Sequence, residues 1–384
     1  MATPTQNMPI LDVIEGTNHF STSFFAEVAS SNHGNLITSP LSVSIVLSMA
    51  AYGARGETQD EMRSVLHLPP MSQATRGYSN LIKYLSYATD VESHLANKIF
   101  TNKGFSVKPS YEKMIEDAFL SSSQSVDFSQ SASAANTINQ WVEEQTNHRI
   151  KDLVNSDSFS SSTVMFLVNA VYFKGNWKTE FDPRFTQNRP FYVSKTEVKN
   201  VPTMFGSGKY NYGVLPECKA SFVELPYKGE DCSMLIILPD EIDGLAAVEK
   251  KMALHGPHEV LKKGETTEVQ VYLPKFTIES SFNLNQHLKN MGIRKAFEKT
   301  EANFQGISDS DVYISKVVQK AFIEVNEEGT EAAGSSGVET DDRIDSSVHF
   351  VVHHPFFYAI VNKVGNGSES PVRLFEGHIV DPVN

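Results

Sequence analysis

Cysteine is almost missing from this sequence: only Cys218 and Cys232 occur among 384 residues. Two are too few for a disulfide scaffold and fit a reducing compartment, with a single bridge between them left open. No stretch approaches the roughly 18 apolar residues of a membrane span, so no transmembrane segment is expected. The start, MATPTQNMPILDVIEG, has neither a basic opening nor a continuous apolar run, and no cleavable signal peptide is expected. The expectation is a cytoplasmic or non-classically secreted protein, with extracellular action open. Positive charge is also in deficit. The formal charge is −13 and the pI about 5.4, with the cations dispersed, which argues against nucleic acid and anionic lipid as partners. No G-x-S-x-G, H-E-x-x-H, P-loop or C-x-x-C occurs, and the histidines are scattered apart from His353-His354, which would face opposite ways on a strand. No catalytic residue, cofactor or metal site is expected; the chain does not read as an enzyme.

What is present is core material, 40% hydrophobic and 10% aromatic residues, enough for a large globular fold. Length alone gives a prior of two or three domains. Apolar spacing predicts a helix over about 10–30. NLITSPLSVSIVLSMAAYGARG predicts a buried helix with Ser39 as N-cap, Pro40 at its first position and Gly53 and Gly56 at its end. Thr58 and Glu61 have the spacing of a capping box for a third helix, stopped by Pro69-Pro70. Further helices fit SQATRGYSNLIKYLSYA and ANTINQWVEEQTNHRIKDLV, and strands fit VMFLVNAVYF (apolar on both faces), CSMLIILP, EVQVYLPKF, VHFVVHHPFFYAIVN and PVRLFEGHIVDP. In 312–326, Tyr313, Ser315, Val317, Gln319, Ala321, Ile323 and Val325 share one face of a strand, and Lys316, Lys320 and Glu324 the other.

That strand runs into GTEAAGSSGVETDDRIDSS, Gly329 to Ser347, whose composition is that of a flexible linker. The 34 residues after position 350 are too few for a further core, so the segment is a long loop inside one domain. An enzyme precursor activated by cleavage at Arg343-Ile344 fails similarly, because only 41 residues follow. Alternate positions separate Thr330, Ala332, Gly334, Ser336, Val338 and Thr340, all uncharged, from a set holding Glu331, Glu339 and Asp341. This is a strand pattern written into a loop, with no proline to block a ladder, and it points to a switch that can enter a sheet.

These residues resemble the serpin family over essentially the whole chain. EVNEEGTEAAG looks like the hinge of an inhibitory serpin, and SPLSVSIVLSMAAYGARGET, LVNAVYFKGNWKTEF, VELPYKG, LPKFTIESSFNL and HPFFYAI match as well. The resemblance implies an α+β fold, one domain over 1–384 with about nine helices and three sheets, a monomer, and an exposed reactive loop over about 329–350. It implies a serine protease inhibitor that acts as a suicide substrate. The target cleaves the loop, and insertion of the cut loop into the main sheet traps the acyl-enzyme. The hinge would be Glu328, Gly329, Thr330, Glu331, Ala332, Ala333 and Gly334, small enough to enter quickly.

Counted as in the family, the cut falls after Arg343, the only basic residue of the loop, with Ile344 following. Arginine there implies a trypsin-like target with an acidic pocket floor. Asp341, Asp342 and Asp345 imply a narrow set of targets. The strand after the bond, Ile344 to Pro355, is about one residue longer than this register expects, which leaves the register open by one. Val338-Glu339-Thr340-Asp341 leaves open a protease that cuts after aspartate, a cysteine protease is a further alternative, and a carrier, storage or chaperone serpin is the competing class. Ser39, Ser42 and Asn169 match the family's shutter, where Gln319 replaces the usual histidine and removes its pH dependence. Trp177 matches the breach at the top of the sheet. The helix that binds glycosaminoglycan in some serpins has only Arg76 and Lys83 here, so no such cofactor is expected.

Overall fold

The computed structural model describes residues 4–86, 91–329, 347–364 and 371–383. Its helices are α1 (Pro4–Ala29), α2 (Pro40–Gly53), α3 (Gly56–Leu66), α4 (Met71–Ser86), α5 (Pro109–Phe119), α6 (Ser131–Gln145), α7 (Leu245–Leu261) and α8 (Asn285–Met291). Its strands are β1 (Leu36–Thr38), β2 (Val91–Asn102), β3 (Ser123–Val126), β4 (Met165–Gly175), β5 (Gln187–Tyr192), β6 (Val198–Leu215), β7 (Ala220–Pro226), β8 (Cys232–Pro239), β9 (Glu265–Pro274), β10 (Phe276–Asn283), β11 (Ile314–Val325), β12 (Val348–Val351), β13 (Phe356–Asn362) and β14 (Val372–Ile379).

β4 shows why its sequence lacks alternation. Met165, Leu167, Val171 and Phe173 enter the main core, while Phe166, Val168 and Ala170 enter a second core with Ile138 and Val142 of α6. The strand is therefore apolar on both faces. It lies in a five-stranded sheet of order β10-β11-β4-β2-β3. Behind that sheet runs α2, every residue of which is buried, as a helix with apolar residues nearly all round must be. The second sheet has nine strands, β1-β14-β13-β8-β7-β6-β9-β12 with β5 on β6. Its two halves are joined only because β6 is long enough to pair with β5 and β9 along most of its length and with β7 at its end, so the expected three sheets form two hydrogen-bonded networks. α7 is interrupted at Gly256 (φ 68), just before Pro257, where a Cβ would collide with the Arg373 guanidinium; with that break the described residues hold nine α-helical segments.

Local predictions fail where tertiary partners take the polar groups. Ser39 takes the expected N-cap position before Pro40, but its hydroxyl makes no cap bond and donates to the Leu374 carbonyl at 2.6 Å. The Thr58–Glu61 capping box does not form. α3 starts earlier, at Gly56; Thr58 accepts from the Asn303 N–H, and Glu61 from those of Arg294 and Lys295. The helix read through 154 ends at Gln145. VHFVVHHPFFYAIVN is two strands, with His353-His354 in the link between them rather than on a strand.

Candidate functional site

β4 and β11 are parallel neighbours, each with an antiparallel partner on its far side, β2 and β10 respectively. Their register runs from Met165↔Ile314 to Tyr172↔Phe322 and stops. Beyond it β4 stays on β2 as far as Gly175 and β11 stays on β10 as far as Val325, so the sheet is split at this end. The chain leaving β11 turns into the split. Asn326 and Gly329 exchange backbone hydrogen bonds of 3.0 and 3.2 Å, the Glu328 carbonyl accepts from the Trp177 N–H at 3.0 Å, and Gly329 bridges Asn176 in the antiparallel sense. Gly329 has φ 119, and a Cβ there would collide with the Gly175 carbonyl oxygen, so only glycine makes the turn.

Side chains hold this turn from three directions. Trp177 is 1% exposed, stacks on Tyr227 at 4.6 Å and donates its Nε1–H to the Asn326 carbonyl at 3.0 Å. Glu327 accepts from Thr186 Oγ1 at 2.8 Å and pairs with Lys275 at 2.7 Å. Burial pushes the Glu327 carboxyl up, but Lys275 and Thr186 together pull it below its ordinary 4.5. A carboxylate lowered in this way contributes stability above its unfolded pKa and loses it as pH falls through the folded value. The thermal midpoint of Glu327→Gln is therefore expected below that of the wild type at pH 7, with the gap closing as pH drops below 4.5; a gap independent of pH would show that the carboxylate is not the stabilising species.

Midway along the same strand pair, Asn97 on β2, Asn169 on β4 and Gln319 on β11 lie in one row across the sheet. Asn169 Nδ2 donates to Asn97 Oδ1 at 2.6 Å and to Ser42 Oγ, and Asn169 Oδ1 accepts from Gln319 Nε2 at 2.7 Å. Gln319 also donates to the Ser39 carbonyl at 3.1 Å, while its own Oε1 is buried with no partner among the described residues. The amide at position 319 thus uses only its donor half. These bonds are buried under α2, and the Asn169–Gln319 contact is one that any strand entering between β4 and β11 must break. Asn169→Ala leaves Ser42, Asn97 and Gln319 each short of a partner, with an expected loss of about 2 kcal/mol. A lowered thermal midpoint checks it.

The sheet thus has a parallel seam open at one end, with the chain turned into the opening by Gly329. The family model for serpin (serine protease inhibitor) matches residues 15–382. The chain belongs to the serpin family. Antichymotrypsin-2 of Bombyx mori is 37% identical over 369 residues, covering 94% of this chain and 96% of the relative. Antitrypsin of Bombyx mori is 36% identical over 353 residues, covering 90% of each. Among solved structures, Serpin48 of Tenebrio molitor, described as a highly specific serpin, has a TM-score of 0.87 at 34% identity over 99% of this chain and 100% of that one.

Of the residues singled out in the sequence, this serpin brings Ser39, Ser42, Asn169 and Gln319 into one cluster and Trp177, Glu328 and Gly329 into another. Thr330, Glu331, Ala332, Ala333, Gly334, Arg343 and Ile344 lie outside the described residues. Sequence reasoning missed Asn97, although Leu95, Asn97, Ile99 and Thr101 alternate as one strand face. It also missed the Glu327–Lys275–Thr186 latch, whose members are far apart in the chain. Cys218 and Cys232 are separate buried thiols, and burial pushes Cys232 up to about 12, which makes it unreactive.

Proposed function

We propose that this serpin inhibits a trypsin-like serine protease as a suicide substrate, with Arg343-Ile344 as the bait bond. The observation that carries the reading is the unpaired end of the β4–β11 seam with Gly329 bridged to Asn176 across it. A strand entering there would run antiparallel to both neighbours, replacing one parallel ladder by two antiparallel ones, which pair more stably per residue. Continuing the Gly329↔Asn176 contact down the seam would place Ala332 opposite Phe173, Gly334 opposite Val171, Ser336 opposite Asn169 and Gln319, and Val338 opposite Leu167. The uncharged set would then meet the main core. Glu331 and Glu339 would fall on the other face, beside Lys174 and Lys316.

Length fits as well. Residues 330–343 span about 45 Å when extended, whereas the 11 residues of β4 span about 35 Å. A protease bound to Arg343 would therefore be carried past the far end of the sheet. In the step itself, the protease serine oxygen attacks the Arg343 carbonyl. The Arg343–Ile344 bond breaks, the Ile344 nitrogen leaves as an amine with a proton, and an ester joins Arg343 to the enzyme. The released 41-residue peptide would stay bound without a covalent link, because β13 is paired on both sides and β12 lies on β9.

The test is to mix the protein with trypsin, run denaturing gels and weigh the released peptide. An SDS-resistant complex and a peptide beginning at Ile344 are expected. Clean cleavage without a complex would reject trapping and move the chain to the carrier, storage or chaperone class. A cut after Asp341 by an aspartate-specific protease, with trapping, would move the register.

A further inference from the structure

The described chain on either side of the reactive loop is anchored at or beside the second sheet. At the near end, Glu327 bonds Thr186, the residue after Phe185. At the far end, Ser347 Oγ accepts from Gln270 Nε2 at 3.0 Å, two residues before Tyr272 on β9. Between these anchors lies a connected patch. Phe185 is 41% exposed and sets its ring edge-on to Phe205; Phe205 packs on Tyr272 at 4.8 Å; and the Arg189 guanidinium lies 4.2 Å from the Tyr272 ring centroid. Phe205 and Tyr272 are register partners on β6 and β9, so rigid strands fix them. Stacking likewise fixes Arg189, for which no carboxylate partner is found among the described residues. Aromatic residues and arginine held rigidly before contact lose little entropy on binding, and they are the types that dominate interface energetics.

We propose that Phe185, Arg189 and Tyr272 form a second docking surface for the protease whose cleft takes Arg343. The inference rests on the inhibitory reading above, and deepens it by naming a contact outside the bait. Because the loop starts and ends beside this patch, a protease gripping the loop has its own surface facing it. The matching partner surface is an apolar loop beside the cleft carrying a carboxylate, the apolar part meeting Phe185 and the carboxylate taking the Arg189 fork. This contact adds to encounter what the aspartates around Arg343 remove, and it selects among proteases that all accept arginine.

The experiment measures the second-order rate of formation of the SDS-resistant trypsin complex, and the moles of inhibitor consumed per mole of trypsin, for wild type, Phe185→Ala, Arg189→Ala, Tyr272→Ala and Tyr272→Phe. Each alanine variant is expected to slow association roughly tenfold with stoichiometry and thermal midpoint unchanged. Tyr272→Phe, which keeps the stack, is expected to retain the wild-type rate. Rates within about twofold of wild type for all three alanine variants would overturn the docking surface while leaving the inhibitory reading intact. A wild type that forms no complex would remove the inhibitory reading and the surface with it. A raised stoichiometry at unchanged association would place these residues in loop insertion instead, and would also overturn the proposal.

Discussion

Arg343→Ala is expected to abolish trapping of trypsin, lowering the rate of complex formation by about a thousandfold or more. A pocket built to pair with a guanidinium holds a buried carboxylate, and a side chain lacking the cation leaves that carboxylate desolvated and unpaired. Sites of this kind reject such analogues by about 10⁴-fold. Arg343→Lys keeps the charge but loses the fork, so a much smaller loss is expected. With the bait in a surface loop, as proposed, the thermal midpoint of either variant should match that of the wild type. An alanine variant that still traps trypsin at the wild-type rate would show that the cut lies elsewhere. Trapping of an aspartate-specific protease, unaffected by Arg343→Ala, would place it after Asp341.

Thr330→Arg is expected to turn the inhibitor into a substrate. Position 330 is the first after Gly329, and continuing the Gly329↔Asn176 contact would set its side chain opposite Gly175, against the Phe173 and Tyr227 rings. Burying an unpaired guanidinium there costs several kcal/mol. Entry of the strand would slow by orders of magnitude, while attack on Arg343, 13 residues further along the chain, would be untouched. Deacylation would then overtake insertion. Cleavage at Arg343-Ile344 should therefore continue at the wild-type rate with little SDS-resistant complex, and the inhibitor consumed per protease inactivated should rise at least tenfold. Unchanged stoichiometry would mean that the hinge does not enter the sheet first, and would remove the mechanism proposed for the open seam.

Much of the helical frame was legible because its signals are local. Pro40 after Ser39, the apolar circumference of α2 and the doubled prolines after α3 each lie within a few residues of the boundary they set. The departures at the helix starts share one cause. Thr58 and Glu61 have the right chemistry for a capping box, but each accepts instead from a backbone N–H on a distant element; Ser39 holds the N-cap position while its hydroxyl goes to the Leu374 carbonyl. Asn97 escaped because β2 was not recognised, its inward face being interrupted by polar residues.

The sequence by itself determined the family and the two-sided burial of β4, since each is carried by contiguous residues, EVNEEGTEAAG and VMFLVNAVYF; the bait proposed at the lone Arg343 among acids rests on contiguous residues too. Only the tertiary structure decided that the seam is open past Tyr172 and Phe322, that Lys275 and Thr186 hold Glu327, and that Gln319 spends one half of its amide on Asn169. Those facts depend on the register between two strands whose facing residues, Asn169 and Gln319, stand 150 positions apart in the chain. Periodicity determines which face of a strand is buried. It carries no information about which residue of a distant strand lies opposite, because that choice is made by the packing of both strands against a common core.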